Sequence, residues 1–145
     1  MNRSLLIAGT LLAFLGLALG AFLPLFTNPR MALAAHQQGI VAGVLLITFG
    51  LAWPRAALDG RRARATGRLL NVGAYALWTG SVLAALCGTS RATPIAGAGF
   101  AGTRWQELSV SLILILGSVA SLSGVGFVLL GLIRARRASG PMSER

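Results

Sequence analysis

Four long runs without a charged residue dominate this sequence: residues 4–26, 31–53, 69–90 and 108–133, of 23, 23, 22 and 26 residues. About 20 apolar residues cross the hydrocarbon core of a bilayer as a helix. Lipid offers the backbone no hydrogen-bond partner, so a chain crossing it must be helical or a closed barrel. The runs predict an all-α integral membrane fold with helices at about 4–26, 29–53, 67–88 and 106–134, followed by a basic, mobile tail at 135–145. Short connections favour an antiparallel four-helix bundle forming a single membrane domain over 1–145. Only 11% of the residues are charged, against about a quarter in soluble domains, which excludes a water-soluble globule. The first run is too long for the core of a cleaved signal peptide.

The charges that remain set an orientation. All 13 basic residues are arginine and the net charge is +10. Arg3, Arg55, Arg61, Arg62, Arg64, Arg68, Arg134, Arg136, Arg137 and Arg145 fall on one side of a four-span layout, and Arg30, Arg91 and Arg104 on the other. This asymmetry predicts a multi-pass protein of the inner cell membrane with both termini cytoplasmic. The basic 55–68 loop and the tail then face anionic headgroups of the bilayer. The basic run RRARATGR lacks interleaved aromatics and a fold to present it, so no nucleic acid partner is expected.

A bundle can be built from Leu, Ala, Val and Gly alone, so the polar residues are the informative ones. Asn28-Pro29 is a strong start signal for helix 2. It places His36, the chain's only histidine, about 10 Å inside that helix. An ionisable group at that depth has two readings: a functional residue, or a helix-end histidine bonded to a carbonyl or to water. One cysteine, Cys87, excludes an intrachain disulfide, and one histidine without acidic or cysteine partners makes a poor zinc site, which wants three or four ligands. A single histidine suffices for haem iron. The helix face Ala32, His36, Gly39, Gly43, Ile47 and Gly50 admits two readings: a groove for a flat cofactor, with Gly39 and Gly43 against it, or close helix packing through small residues. On helix 3, Asn71, Tyr75 and Trp78 share a face, able to contact a ligand or to bond between helices. Antiparallel geometry staggers His36 and Tyr75 by depth, a span that a ligand of about 10 Å bridges. The serines of helix 4 read as packing residues bonded to the preceding turn. Gln37, Gln38, Gln106 and Glu107 read as rim residues. Nucleotide-binding loops, nucleophile elbows and HExxH are missing from the sequence.

These segments carry a family resemblance. NPRMALAAHQQG, residues 28–39, is similar to the segment opening helix 2 of hydroxylaminobenzene mutases, and RSLLIAGTLLAFLGLALG, residues 3–20, is similar to their first helix. NVGAY, residues 71–75, resembles the NVGxY motif of styrene oxide isomerases in the same superfamily. The resemblance implies a homotrimer of four-helix membrane subunits with haem b near the subunit interfaces. It implies His36 as the iron ligand, with ferric iron as a Lewis acid. It implies Tyr75 and Asn71 as catalytic residues positioning a small aromatic substrate, with Trp78 flanking the arene. The mutases convert an aryl hydroxylamine to an aminophenol, a redox-neutral isomerisation.

Two positions depart from the pattern. Ala42 stands where these relatives carry Asn six residues after the histidine, and Gly67 stands where the styrene oxide branch carries Asp before NVG. Losing one oriented donor costs on the order of 100-fold in rate. The resemblance thus implies an aryl hydroxylamine mutase, with an epoxide-to-aldehyde isomerase and a non-enzymatic membrane component or transporter subunit as alternatives.

Overall fold

The computed structural model describes residues 1–138 and is helical throughout, with no strand among them. Helix α1 spans Arg3–Gly20, α2 Pro29–Ala52, α3 Gly60–Cys87 and α4 Arg104–Ala138, with single 3-10 turns at Leu23–Leu25 and Trp53–Arg55. All four helices are long and apolar enough to cross a membrane, and the fold is the antiparallel membrane four-helix bundle that the charge-free runs required. Asn2 lies beside Gly50, and Ala57 beside Gly131, at the arginine-rich end. The 88–103 connection closes the other end.

Caps place the helix ends where the runs alone did not. Helix α1 stops at Gly20, short of residue 26, because Pro24 forces a 3-10 turn instead. Helix α2 begins at Pro29 as expected, with the buried Asn28 side chain accepting from the Met31 amide at 3.1 Å. Helix α3 begins at Gly60, seven residues before the predicted start, and absorbs most of the basic connection. Arg and Ala are strong helix formers, so the helix simply projects beyond the apolar slab. Helix α4 begins at Arg104 through a capping box: the Thr103 amide donates to Gln106 Oε1 at 2.8 Å and the Gln106 amide donates to Thr103 Oγ1 at 3.4 Å. At its far end the helix continues through 135–138; the rest of the predicted tail, 139–145, lies outside the described residues.

Packing divides the bundle into two glycine-stitched hairpins, α1/α2 and α3/α4, joined through α2 and α3. A Cβ on Gly9 would lie 2.6 Å from the Gly43 carbonyl, and one on Gly43 2.6 Å from the Ala13 amide. Gly16 lies as close to Gly39 and Ile40. In the second hairpin Gly73 meets Ser121, Gly80 meets Leu114, and Gly124 meets Leu70. Without a hydrophobic drive between helices in lipid, this backbone approach supplies the association through dispersion. Helix α4 packs along α3 and makes extended contact with no other helix among the described residues. Ser118 bonds back to the Leu114 carbonyl at 2.8 Å, as its type predicts.

The 88–103 connection is ordered by three clamps. Asn28 Nδ2 donates to the Ala96 carbonyl at 2.9 Å. Arg30 donates to the Ala98 carbonyl and lies 5.9 Å from the Phe100 ring centre. The Glu107 carboxylate accepts from the amides of Ser90, Arg91 and Gly102 at 2.9–3.1 Å. Glu107, read from the sequence as a rim residue, is the structural anchor of this connection.

Gly43→Val should force α1 and α2 apart and destabilise the fold by about 1–3 kcal/mol. Thermal unfolding in detergent checks this, with Gly60→Ala, where a Cβ meets nothing within 4 Å, expected to leave the midpoint unchanged or slightly raised.

Candidate functional site

The close approach of α1 and α2 brings the lone histidine onto the backbone of the first helix. His36 Nδ1 lies 2.7 Å from the Gly16 carbonyl oxygen. A carbonyl can only accept, so Nδ1 carries the proton. In a neutral imidazole this fixes Nε2 as the unprotonated nitrogen, with its lone pair free. Gly16 is near the C-terminal end of α1, the negative end of the helix dipole, which strengthens the bond from Nδ1–H. The ring also needs Gly20: a Cβ there would lie 2.7 Å from both Cε1 and Nδ1. By spacing alone Gly16 and Gly20, four residues apart, are a helix-packing pair, and only the folded chain shows that they seat the only histidine.

Trp78 lies beside this seat. A Cβ on Gly39 would meet Trp78 Nε1 at 2.7 Å and Gly16 Cα at 2.8 Å. The indole N–H is buried and has no partner, leaving an unused donor one helical turn from His36 on α2. The Tyr75 hydroxyl donates to the Ala8 carbonyl at 2.9 Å, so its proton is committed and its lone pairs face outward from that bond. Ala8 and Gly16 are eight residues apart on α1, about 12 Å along the axis. His36 and Tyr75 are therefore staggered as the antiparallel order required, with Trp78 between them.

Other predicted positions lie elsewhere. Gly43 is filled by Gly9 and Ala13, and Gly39 by Gly16 and Trp78. Within the subunit both glycines serve the helix contact, and the groove suggested by their spacing is occupied by protein. Asn71 is not brought to His36. It lines a cavity of about 240 Å³ at the arginine-rich end with Asn2, Ser4, Arg64 and Arg68, and its Oδ1 is buried without a partner. Gln38, expected at the rim, is half-buried and accepts from Ser81 Oγ at 2.5 Å, tying α2 to α3. Ala42 packs beside Tyr75 and Trp78 against the apolar cluster of Leu5, Leu12 and Leu46.

The donor set distinguishes among metal groups. No cluster of three His, Cys, Asp or Glu exists among the described residues. A bare divalent ion wants three or four such ligands, whereas haem iron takes its equatorial ligands from the porphyrin and needs one imidazole. An imidazole bonded through Nδ1–H to a carbonyl, with Nε2 free, is the arrangement that axial histidines use. The residues fit haem on these grounds.

Because His36 is the only histidine, its tautomer can be read without ambiguity. Nitrogen-15 NMR of histidine-labelled, cofactor-free protein should show the neutral ring as the tautomer with its proton on Nδ1. Gly20→Ala should displace the ring and shift both resonances.

Nearly the whole chain matches known proteins in sequence. The family model of styrene oxide isomerase matches residues 1–133. The chain is 38% identical over 135 residues to hydroxylaminobenzene mutase HabA of Ectopseudomonas oleovorans, covering 92% of this chain and 100% of that protein. It is 37% identical over 133 residues to hydroxylaminobenzene mutase HabB of the same organism, covering 91% of this chain and 81% of that one. No solved structure matches the chain. By sequence and by its four spanning helices, the chain belongs to the styrene oxide isomerase family and is an isomerase.

Proposed function

We propose that the chain is a haem b isomerase that rearranges an aryl hydroxylamine to an aminophenol. The observation that carries this reading is the His36 Nδ1 bond to the Gly16 carbonyl, which leaves the Nε2 lone pair free to hold iron. When bound there, ferric haem supplies a Lewis acid that draws electron density from the substrate oxygen. In the overall rearrangement the N–O bond breaks, a ring C–O bond forms, and the proton displaced from that ring carbon is released. A proton is taken up at nitrogen, so no electrons enter or leave.

This chain's residues bind and orient. The buried Trp78 N–H, without a protein partner, donates to the substrate oxygen or its π system, while the indole face flanks the arene. Tyr75, with its proton held by Ala8, offers lone pairs to a substrate N–H. Asn71 belongs to this reading only as a more distant polar contact, since its cavity lies at the arginine-rich end. The apolar surroundings, with Ala42 in place of a polar side chain, keep water from a developing cation and suit an aromatic substrate that partitions into lipid.

We further infer a homotrimer in the inner cell membrane with both termini cytoplasmic and the haem near subunit interfaces. The half-buried His36 ring and an α4 that packs extensively along α3 only support sites completed by a second copy. The styrene oxide isomerase family model favours one alternative substrate, an aryl epoxide opened to an aldehyde on the same seat.

Protein purified in mild detergent after growth with added haem should show a Soret band, and His36→Ala should lose it. Activity on phenylhydroxylamine without any reductant should fall on the order of 1,000-fold in that variant. Trp78→Phe should keep the Soret band and lower activity by about threefold to tenfold, the value of one hydrogen bond. Assaying styrene oxide in the same preparation decides between the two substrates. A haem-free, inactive wild-type protein would overturn the proposal.

A further inference from the structure

A second built site lies at the arginine-rich end, away from the histidine. Between the first turns of α3 and the last turns of α4 is a cavity of about 300 Å³, lined among others by Leu58, Arg62, Thr66, Phe127, Leu130 and Arg134. That is the share of liquid volume of about ten waters. Thr66 is only 1% exposed, and its hydroxyl has no partner. A helical threonine ordinarily bonds back to the preceding turn, so this buried hydroxyl is an unspent donor on the wall of the cavity. Arg62 and Arg134 supply two exposed guanidinium groups.

The lining is graded along the membrane normal. On α4, Phe127, Leu130 and Arg134 follow one another over seven residues, about 10 Å of helix. The apolar part points to the slab and the cationic part to its edge. A small soluble anion would use only the second half of such a cavity. An amphiphile with an anionic head uses both. Arginine pairs bind phosphate oxygens through forked, charge-assisted hydrogen bonds.

We propose that this cavity holds one anionic phospholipid: Arg62 and Arg134 clamp its phosphate, Thr66 donates its hydroxyl to a phosphate or ester oxygen, and the start of one acyl chain rests on Leu58, Phe127 and Leu130. The lipid ties the first turns of α3 to the last turns of α4. The surrounding Arg61, Arg64, Arg136 and Arg137 raise the local lipid concentration, and Asp59, the acidic residue near the start of α3, does not line the cavity.

The test uses full-length protein in neutral detergent, titrated with phosphatidylglycerol, phosphatidylcholine or inorganic phosphate. Native mass spectrometry and the unfolding temperature are the readouts. Phosphatidylglycerol should bind about tenfold or more tightly than phosphatidylcholine, in line with two cation contacts at a membrane surface, with one molecule retained per chain. Arg62→Gln combined with Arg134→Gln should abolish that preference. Arg61→Gln combined with Arg136→Gln removes the same charge off the cavity and should preserve it. Thr66→Val should weaken binding without changing the salt dependence. Equal loss in both double variants would assign the effect to the diffuse arginine field and overturn the site. Displacement of the lipid by inorganic phosphate would overturn the lipid reading.

Discussion

The contact on which the structure turns is the one between the backbones of α1 and α2. In lipid two helices gain little from apolar side chains, because the solvent is equally apolar. They gain by approaching until backbone meets backbone, and Gly9, Gly16, Gly39 and Gly43 permit that approach. The same proximity gives His36 a carbonyl to bond. The Gly16 carbonyl takes one ring nitrogen of this half-buried imidazole and leaves the other free. Packing and chemistry are thus one feature: a side chain at Gly20 would cost the ring its place.

The rest of the bundle divides its labour by depth. The end beyond the histidine is held by polar clamps, with Asn28, Arg30 and Glu107 each satisfying loop backbone. The middle is aromatic and nearly free of ionisable groups, with Tyr75 and Trp78 facing α1 and α2. The opposite end is a shell of arginines on helices that overrun the apolar slab. This gradient sets the charged ends at the two membrane surfaces and the apolar middle within the bilayer.

Much of this was legible in residue order. Charge-free runs fixed the number and nature of the spans, because lipid allows so few alternatives. Asn28-Pro29 marked the start of α2, since the N-cap bond and the proline ring are local requirements. The start of α3 was not legible from hydropathy, which ends at the membrane surface while a helix of Arg and Ala does not. Nor did spacing decide what Gly39 and Gly43 face: small residues on one stripe serve a flat ligand or a neighbouring helix equally, and only the three-dimensional partner distinguishes them. Asn71 and Tyr75 share a helix face, yet one turn of separation was enough to place them beside different parts of α1. The Gly16 carbonyl could not be seen at all, because a backbone acceptor leaves no mark in the alphabet of side chains.

The central claim is that His36 acts through a free Nε2 and not through its contribution to packing. The most direct measurement is chemical rescue of a His36→Gly variant with imidazole in solution, followed by absorption and by isomerase turnover. If the account holds, the variant is inert and colourless alone, and added imidazole restores both the haem spectrum and part of the activity in parallel. Wild-type turnover by the variant in the absence of imidazole would contradict it.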